Sequence, residues 1–151
     1  MREVERPADL QAYVGQKLGV SEWVTVDQAK IDDFARLTGD DNWIHVDVER
    51  ARRELPDGKT IAHGLLTLSL MPHLAAQTLK IRKRSRSINY GSNKIRFPAP
   101  VKCGARLRLH RSLEKWEPFE GGARLTFSNI MEIEGEERPA MAAETISLVY
   151  E

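Results

Sequence analysis

Asp40 and His45 stand five residues apart, directly after Gly39, in the stretch Phe34-Ala-Arg-Leu-Thr-Gly-Asp-Asp-Asn-Trp-Ile-His45. In a continuous helix that spacing would turn the two side chains to different faces. In a loop that folds back, both can converge on one point. A carboxylate beside an imidazole is a usable acid–base pair. The carboxylate holds a water or raises the basicity of the ring. The ring, with an ordinary pKa of ~6.5, takes or gives a proton near neutral pH. Asn42 lies between them and can hydrogen-bond either partner or the loop backbone. Spacing alone leaves a second reading open, in which the pair is only a hydrogen bond within a loop.

A second segment, Ile61-Ala-His-Gly-Leu65, places Gly64 at the first turn of the most apolar stretch of the chain, Gly64–Leu79. The N–H groups of a helix's first turn are unpaired and carry partial positive charge. A glycine there lets a ligand oxygen approach the backbone, which makes an oxyanion site. A plain tight turn is the alternative. Taken together, an acid–base pair and an N–H donor at a helix end suit chemistry beside a carbonyl.

The elements that must hold these groups follow from the residue pattern. Pro7–Val14 reads as a short helix or turn, and Lys17–Val26 as a strand. Asp27 caps a helix running to about Thr38, with Ile31, Phe34, Ala35 and Thr38 on one face and Gly39 as its stop. Asp40–Val46 reads as a loop, and Asp47 as the cap of a second helix through Leu55. Gly64–Leu79 is apolar on nearly all sides, so it should be buried on nearly all sides, with a kink or break at Pro72. Strands follow at Ser85–Phe97, Ala105–Leu113, Ala123–Ile133 and Ala140–Tyr150, the last with Ile146, Leu148 and Tyr150 sharing a face. Gly121-Gly122 and Gly135 mark hairpins. One apolar helix followed by consecutive antiparallel strands gives an α+β layout. The helix has more apolar surface than one sheet wraps, which points to a partner subunit.

Length and charge bound the rest. The 151 residues make one domain, residues 1–151. The net charge of +1 hides a segregation: residues 1–57 carry −5, residues 58–113 carry +12 with no acidic side chain, and residues 114–151 carry −6. No stacking platform or groove-reading motif accompanies the basic block, so nucleic acid is not its expected partner. Cys103 is the single cysteine, so no intrachain disulfide can form and a cytoplasmic location is expected. Gly64–Leu79 is shorter than a membrane span of ~20 residues. The four histidines, His45, His63, His73 and His110, form no zinc-like cluster by spacing, and no metal is expected.

Phe34 to Ala51, and within it Thr38-Gly-Asp-Asp-Asn-Trp-Ile-His45, resembles the hydratase-2 motif of MaoC-like dehydratases, the (R)-specific enoyl-CoA hydratases. Ile61-Ala-His-Gly64 is similar to the family's second signature, and Phe97-Pro-Ala-Pro-Val101 with Gly104 to a third. The family's proline after Asn42 is Trp43 here, a difference that resembles the nodulation-protein-N-like branch. The resemblance implies a hot-dog fold, in which a long central helix is wrapped by a curved antiparallel sheet and two subunits pair. It also implies reversible hydration of trans-2-enoyl thioesters to (R)-3-hydroxyacyl thioesters. Asp40 and His45 match the catalytic dyad and Gly64 the backbone donor to the thioester oxygen. Asn42, Trp43, His63 and Ser69 are further candidates for substrate contact. Other readings are packing beside Gly64 for His63 and a backbone hydrogen bond four residues back for Ser69. No separate cofactor is implied, since coenzyme A or an acyl carrier protein is part of the substrate. Arg82, Arg84, Arg86, Lys94 and Arg96 are candidate contacts to that carrier, with a solvated charge run as the other reading. The alternatives to a hydratase are a hot-dog thioesterase and a non-catalytic acyl-thioester binding protein.

Overall fold

The computed structural model describes residues 1–151. Strand β1 (Arg2–Val4) is followed by a 3-10 turn at Pro7–Tyr13 and by β2 (Gln16–Val20) and β3 (Val24–Thr25). Three helices come next: α1 (Gln28–Thr38), α2 (Trp43–Val46) and α3 (Val48–Glu54). The central helix α4 (Gly64–Ala75) leads into β4 (Leu79–Ile81) and the long strands β5 (Arg86–Arg96), β6 (Arg106–Phe119), β7 (Gly122–Ile133) and β8 (Met141–Tyr150). The main sheet runs β2-β6-β7-β8-β5, all antiparallel, with β3 also on β6. β1 and β4 form a small parallel pair that the residue pattern did not suggest.

Strand alternation is legible in β6 and β7. Leu107, Leu109 and Leu113 are fully buried, as are Leu125, Phe127 and Met131 to within 1%. Arg106 and Arg108 face outward, where they pair with Glu134, just beyond β7, and Glu132 of β7 at 2.8 and 2.6 Å. His110 adds a hydrogen bond to Glu132 at 2.5 Å. The Arg108 guanidinium, and then His110, hold the Glu132 carboxyl below its ordinary value. A depressed carboxylate stabilises the fold above its unfolded-state pKa, and this is lost as pH falls through the folded value. Replacing Glu132 by Gln should therefore lower Tm at neutral pH. The gap to wild type should close as melts are repeated below pH ~4.5.

Four expectations need correction. Asp40–Val46 is not all loop, because Asn42 accepts from the Ile44 N–H and nucleates the one-turn helix α2. The stretch Lys17–Val26 is two short strands, broken after Val20. The central helix runs through Pro72 but stops at Ala75, and Leu79 belongs to β4. It is also not covered on all sides: Leu65, Ser69, Pro72, His73 and Ala76 leave one stripe open to solvent within this chain. In β8 the face shared by Ile146, Leu148 and Tyr150 is the outer one, while Met141, Ala143, Thr145, Ser147 and Val149 face inward. The reason is a polar seam in the sheet: buried Asn129 on β7 donates to Thr145 Oγ1 at 2.9 Å. Tyr150 outside takes Arg86 over its ring, 4.0 Å from the centroid.

The core lies between α4 and the sheet in two clusters. One gathers Val26, Ile31, Leu66, Leu74, Leu109 and Met131 around α4. The other gathers Leu10, Leu18, Leu79, Leu113, Leu125 and Phe127 beneath the N-terminal segment.

Candidate active site

The reversal that brings Asp40 back on His45 starts at Gly39. Its φ of 76° is the left-handed conformation that ends α1, with its N–H on Ala35 O at 2.8 Å. Asp40 follows at the surface, and its N–H is received by Thr38 Oγ1 at 3.3 Å. His45 sits on α2, only 9% exposed. Trp43 is the first residue of that helix, a position where proline also fits because its N–H is not needed. The Trp43 ring instead carries Arg50 at 4.0 Å.

His45 is oriented by backbone. Its Nδ1 lies 2.5 Å from Ile61 O. A carbonyl only accepts, so Nδ1 carries the proton and Nε2 of the neutral ring keeps a free lone pair. The segment that supplies this carbonyl is fixed in turn. Ile61 N–H donates to Ile44 O at 3.0 Å, and Gln28 bridges Thr60 Oγ1 at 2.5 Å and His45 O at 2.8 Å. Gln28 and Ile61 were missed from sequence. Gln28 reaches His45 through a main-chain oxygen and Ile61 acts through its main-chain atoms alone, so residue type carries no sign of either role.

His63 is 2% exposed and lies flat against His45, ring centroids 3.8 Å apart. Its Nε2 donates to Asp40 O at 2.8 Å, and the Phe34 ring packs tilted against it, centroids 5.0 Å apart. His63 therefore ties the Asp40 backbone to the start of α4. Its Nδ1 is buried without a partner. The Asp40 carboxylate and nitrogens of His45 and His63 all lie within 4.8 Å, a three-donor cluster that spacing did not show. Each ring already gives one nitrogen to a backbone carbonyl, His45 Nδ1 to Ile61 O and His63 Nε2 to Asp40 O, which leaves one nitrogen on each ring as a possible ligand.

Gly64 is the first residue of α4. The first helical N–H groups to find acceptors are those of Leu66 and Thr67, both on His63 O. The Gly64 and Leu65 N–H groups have none within the chain, and the helix dipole adds partial positive charge there. Gly64 does not have a positive φ, so a tight turn is not its reason. A Cβ there would lie 2.9 Å from the Phe97 ring. The site thus offers a carboxylate, a free imidazole lone pair and unpaired N–H donors.

The remaining sequence candidates are less concentrated. Ser69 donates back to Leu65 O at 2.7 Å and is exposed. Arg82 is held by Glu3 at 2.7 Å. Arg86 and Arg96 are ten residues apart on β5, roughly 33 Å of extended strand. Only Lys94 and Arg96 approach the Phe97 end of β5, so within one chain the basic block is not a single patch.

A central helix laid against an antiparallel sheet, with this cluster at the helix's N-terminal end, is a hot-dog protein. The chain belongs to the MaoC-like family: the model of the MaoC like domain matches residues 9–123. The chain is 48% identical over 147 residues to 3-hydroxyacyl-thioester dehydratase Z of Mycobacterium tuberculosis, covering 97% of each. It is 46% identical over 145 residues to nodulation protein N of Rhizobium leguminosarum bv. viciae, covering 94% of this chain and 89% of that protein. In structure it is similar to R-hydratase PhaJ1 of Pseudomonas aeruginosa, with a TM-score of 0.74 and 23% identity over 91% of this chain and 82% of that one. No helix is long and apolar enough to cross a membrane.

Proposed function

We propose that this protein catalyses reversible addition of water to trans-2-enoyl thioesters, giving (R)-3-hydroxyacyl thioesters, as a homodimer. One observation carries the reading: the Asp40 carboxylate and the His45 ring gather within 4.8 Å, beside a helix N-terminus with unpaired N–H groups. In the hydration direction, the thioester oxygen accepts from the Gly64 N–H. Asp40 and His45 hold one water over C3. Water loses a proton to the pair as its oxygen bonds to C3, and the C2–C3 π electrons move to give an enolate stabilised by the N–H donor. The same proton returns to C2 on the same face. Which member of the pair takes it first is a property of the pair, because coupled groups titrate together.

Mixing the protein with crotonyl-CoA should abolish the conjugated enoyl-thioester absorbance without releasing free thiol. Thiol release would favour a thioesterase, and no change with any chain length a binding protein. Names of relatives support the reading, since one is a 3-hydroxyacyl-thioester dehydratase. The open stripe on α4 and the unpaired edge of β5, where Ile88 and Tyr90 are 43% and 57% exposed, suit a second copy of the chain. A cytoplasmic location accords with Cys103 as a free thiol.

Coenzyme A or an acyl carrier protein serves as the handle, with Arg84, Arg86, Lys94 and Arg96 as the cations left without a carboxylate partner. Screening weakens contacts of this exposed kind. KM for an enoyl-CoA should therefore rise with added salt while kcat holds. A flat KM would remove the basic side chains from substrate binding.

A further inference from the structure

Arg111 is the one cation on the inner face of β6. It stands between Leu109 and Leu113, both fully buried, where strand alternation gives it no outward route. It also stands between the two core clusters, one holding Leu109 and the other Leu113. Its guanidinium lies over the Phe127 ring, 3.6 Å from the centroid. Its Nε is buried with no acceptor, and none of its nitrogens makes an ion pair or hydrogen bond within the chain. Burial, aided by the charge of Arg84, pushes its pKa down to about 10. Arg111 as a whole is half-buried, and a guanidinium whose Nε is cut off from water without an acceptor is costly unless an anion meets it.

The space beside it shows what kind of anion. Arg111 lines a cavity of about 290 Å³ between the C-terminal end of α4 and the sheet. No Asp or Glu lines this cavity; its polar contributors besides Arg111 are Lys80, Arg84, Ser87, Asn89 and Ser147. Lys80 is already paired with Glu3 at 3.2 Å. Half of the wall is apolar, from Pro72 on α4 across to Leu125 and Val149 on the sheet. Pro72 and Asn89 also line a neighbouring cavity of about 210 Å³, bordered by Leu68, Met71 and Ile146 and by Ser92 and Thr145. Arg111 presents its free guanidinium on the inner face of the sheet, and exposed Arg84, also without a carboxylate partner, lines the same cavity. A guanidinium fork beside an apolar wall matches a planar carboxylate on an apolar chain, since it pairs with two carboxylate oxygens.

We propose that this cavity binds a carboxylate carried at the end of an apolar chain, with Arg111 as the group that receives it. Two sources share that chemistry: a free long-chain carboxylic acid, or the far end of the substrate's own acyl chain. The second rests on the hydratase reading; the first does not. Calorimetric titration with decanoate, and with decanol as its uncharged match, tests the shared chemistry without any turnover.

Wild-type protein should bind decanoate about 10–100-fold more tightly than decanol, the scale of a charge-assisted pair. Arg111→Met should erase that preference and raise Tm, because a half-buried unpaired cation is replaced by an apolar side chain. Arg111→Lys keeps the charge but not the fork and should retain part of the preference, which gives a reading even where Arg111→Met does not fold. Equal affinity of wild type for decanoate and decanol would overturn the proposal. So would unchanged decanoate binding in Arg111→Met, or displacement of decanoate by equimolar inorganic phosphate. The sources separate in turnover of enoyl-CoA substrates ending in carboxyl or methyl. A carboxyl preference in kcat/KM that Arg111→Met removes assigns the substrate's own terminus. No such preference, with decanoate binding intact, assigns the free acid. Decanoate binding without turnover of either substrate would fault the hydratase reading alone.

Discussion

His45→Gln and Asp40→Asn should each lower the rate of enoyl-thioester hydration by ~10²–10⁴, the usual worth of a positioned acid or base. Both variants should fold. His45 makes its one side-chain hydrogen bond through Nδ1 to Ile61 O, and a glutamine amide N–H can replace that donor. What glutamine lacks is a second nitrogen with a basic lone pair. Asp40 is exposed, and its structural hydrogen bonds use the backbone N–H and carbonyl rather than the carboxylate. Asparagine keeps those bonds and removes the charge. Melting curves near wild type, with kcat reduced and KM little changed, would show an effect on chemistry. Near wild-type hydration in either variant would end the assignment of that residue.

Gly64→Pro should cost ~10²–10³ in kcat, the scale for losing one oxyanion donor. The substitution removes the N–H and little else of the backbone. Gly64 occupies the first helical position, where proline is favoured, and His63 before it has φ −57° and ψ 136°, the extended conformation that a residue preceding proline adopts. Any added side chain must still displace the Phe97 ring, 2.9 Å from a Cβ. Gly64→Ala is the matched control, since it adds the Cβ and keeps the N–H. Phe97 is 41% exposed and has room to swing outward. Alanine should thus retain most of the activity that proline loses. Equal losses in the two variants would assign the effect to Phe97 rather than to the N–H.

How much of this was legible in the sequence depends on where each group's partner lies. Asp40 and His45 were legible because both belong to one contiguous stretch and chemistry needs those residue types. The caps at Asp27, Asp47 and Gly39 were legible because capping is local. His63 was legible only as a neighbour of Gly64. Its role depends on the carbonyl of Asp40, 23 positions away, and main-chain acceptors leave no mark on residue type. Along β6 the alternation of leucine with arginine reports the buried face directly, up to Arg111, which lies on the leucine face. Along β8 the face shared by Ile146, Leu148 and Tyr150 was legible but its direction was not, because the inner face carries Thr145 and Ser147 toward Asn129 and the Arg111 cavity. The same polar seam hid both features. The basic block reads as one patch in sequence, but an extended strand spreads Arg86 and Arg96 along its length, and Arg82 is spent on Glu3.

The reaction proposed for Asp40 and His45 is addition of water to one face of an enoyl thioester held at Gly64. Chiral analysis of the product formed from crotonyl-CoA tests it most directly, run side by side on wild type and His45→Gln. Wild type should give (R)-3-hydroxybutyryl-CoA, and the variant little product of either hand. Accumulation of the (S) product, or equal yields of hydrated product from the two proteins, would contradict it.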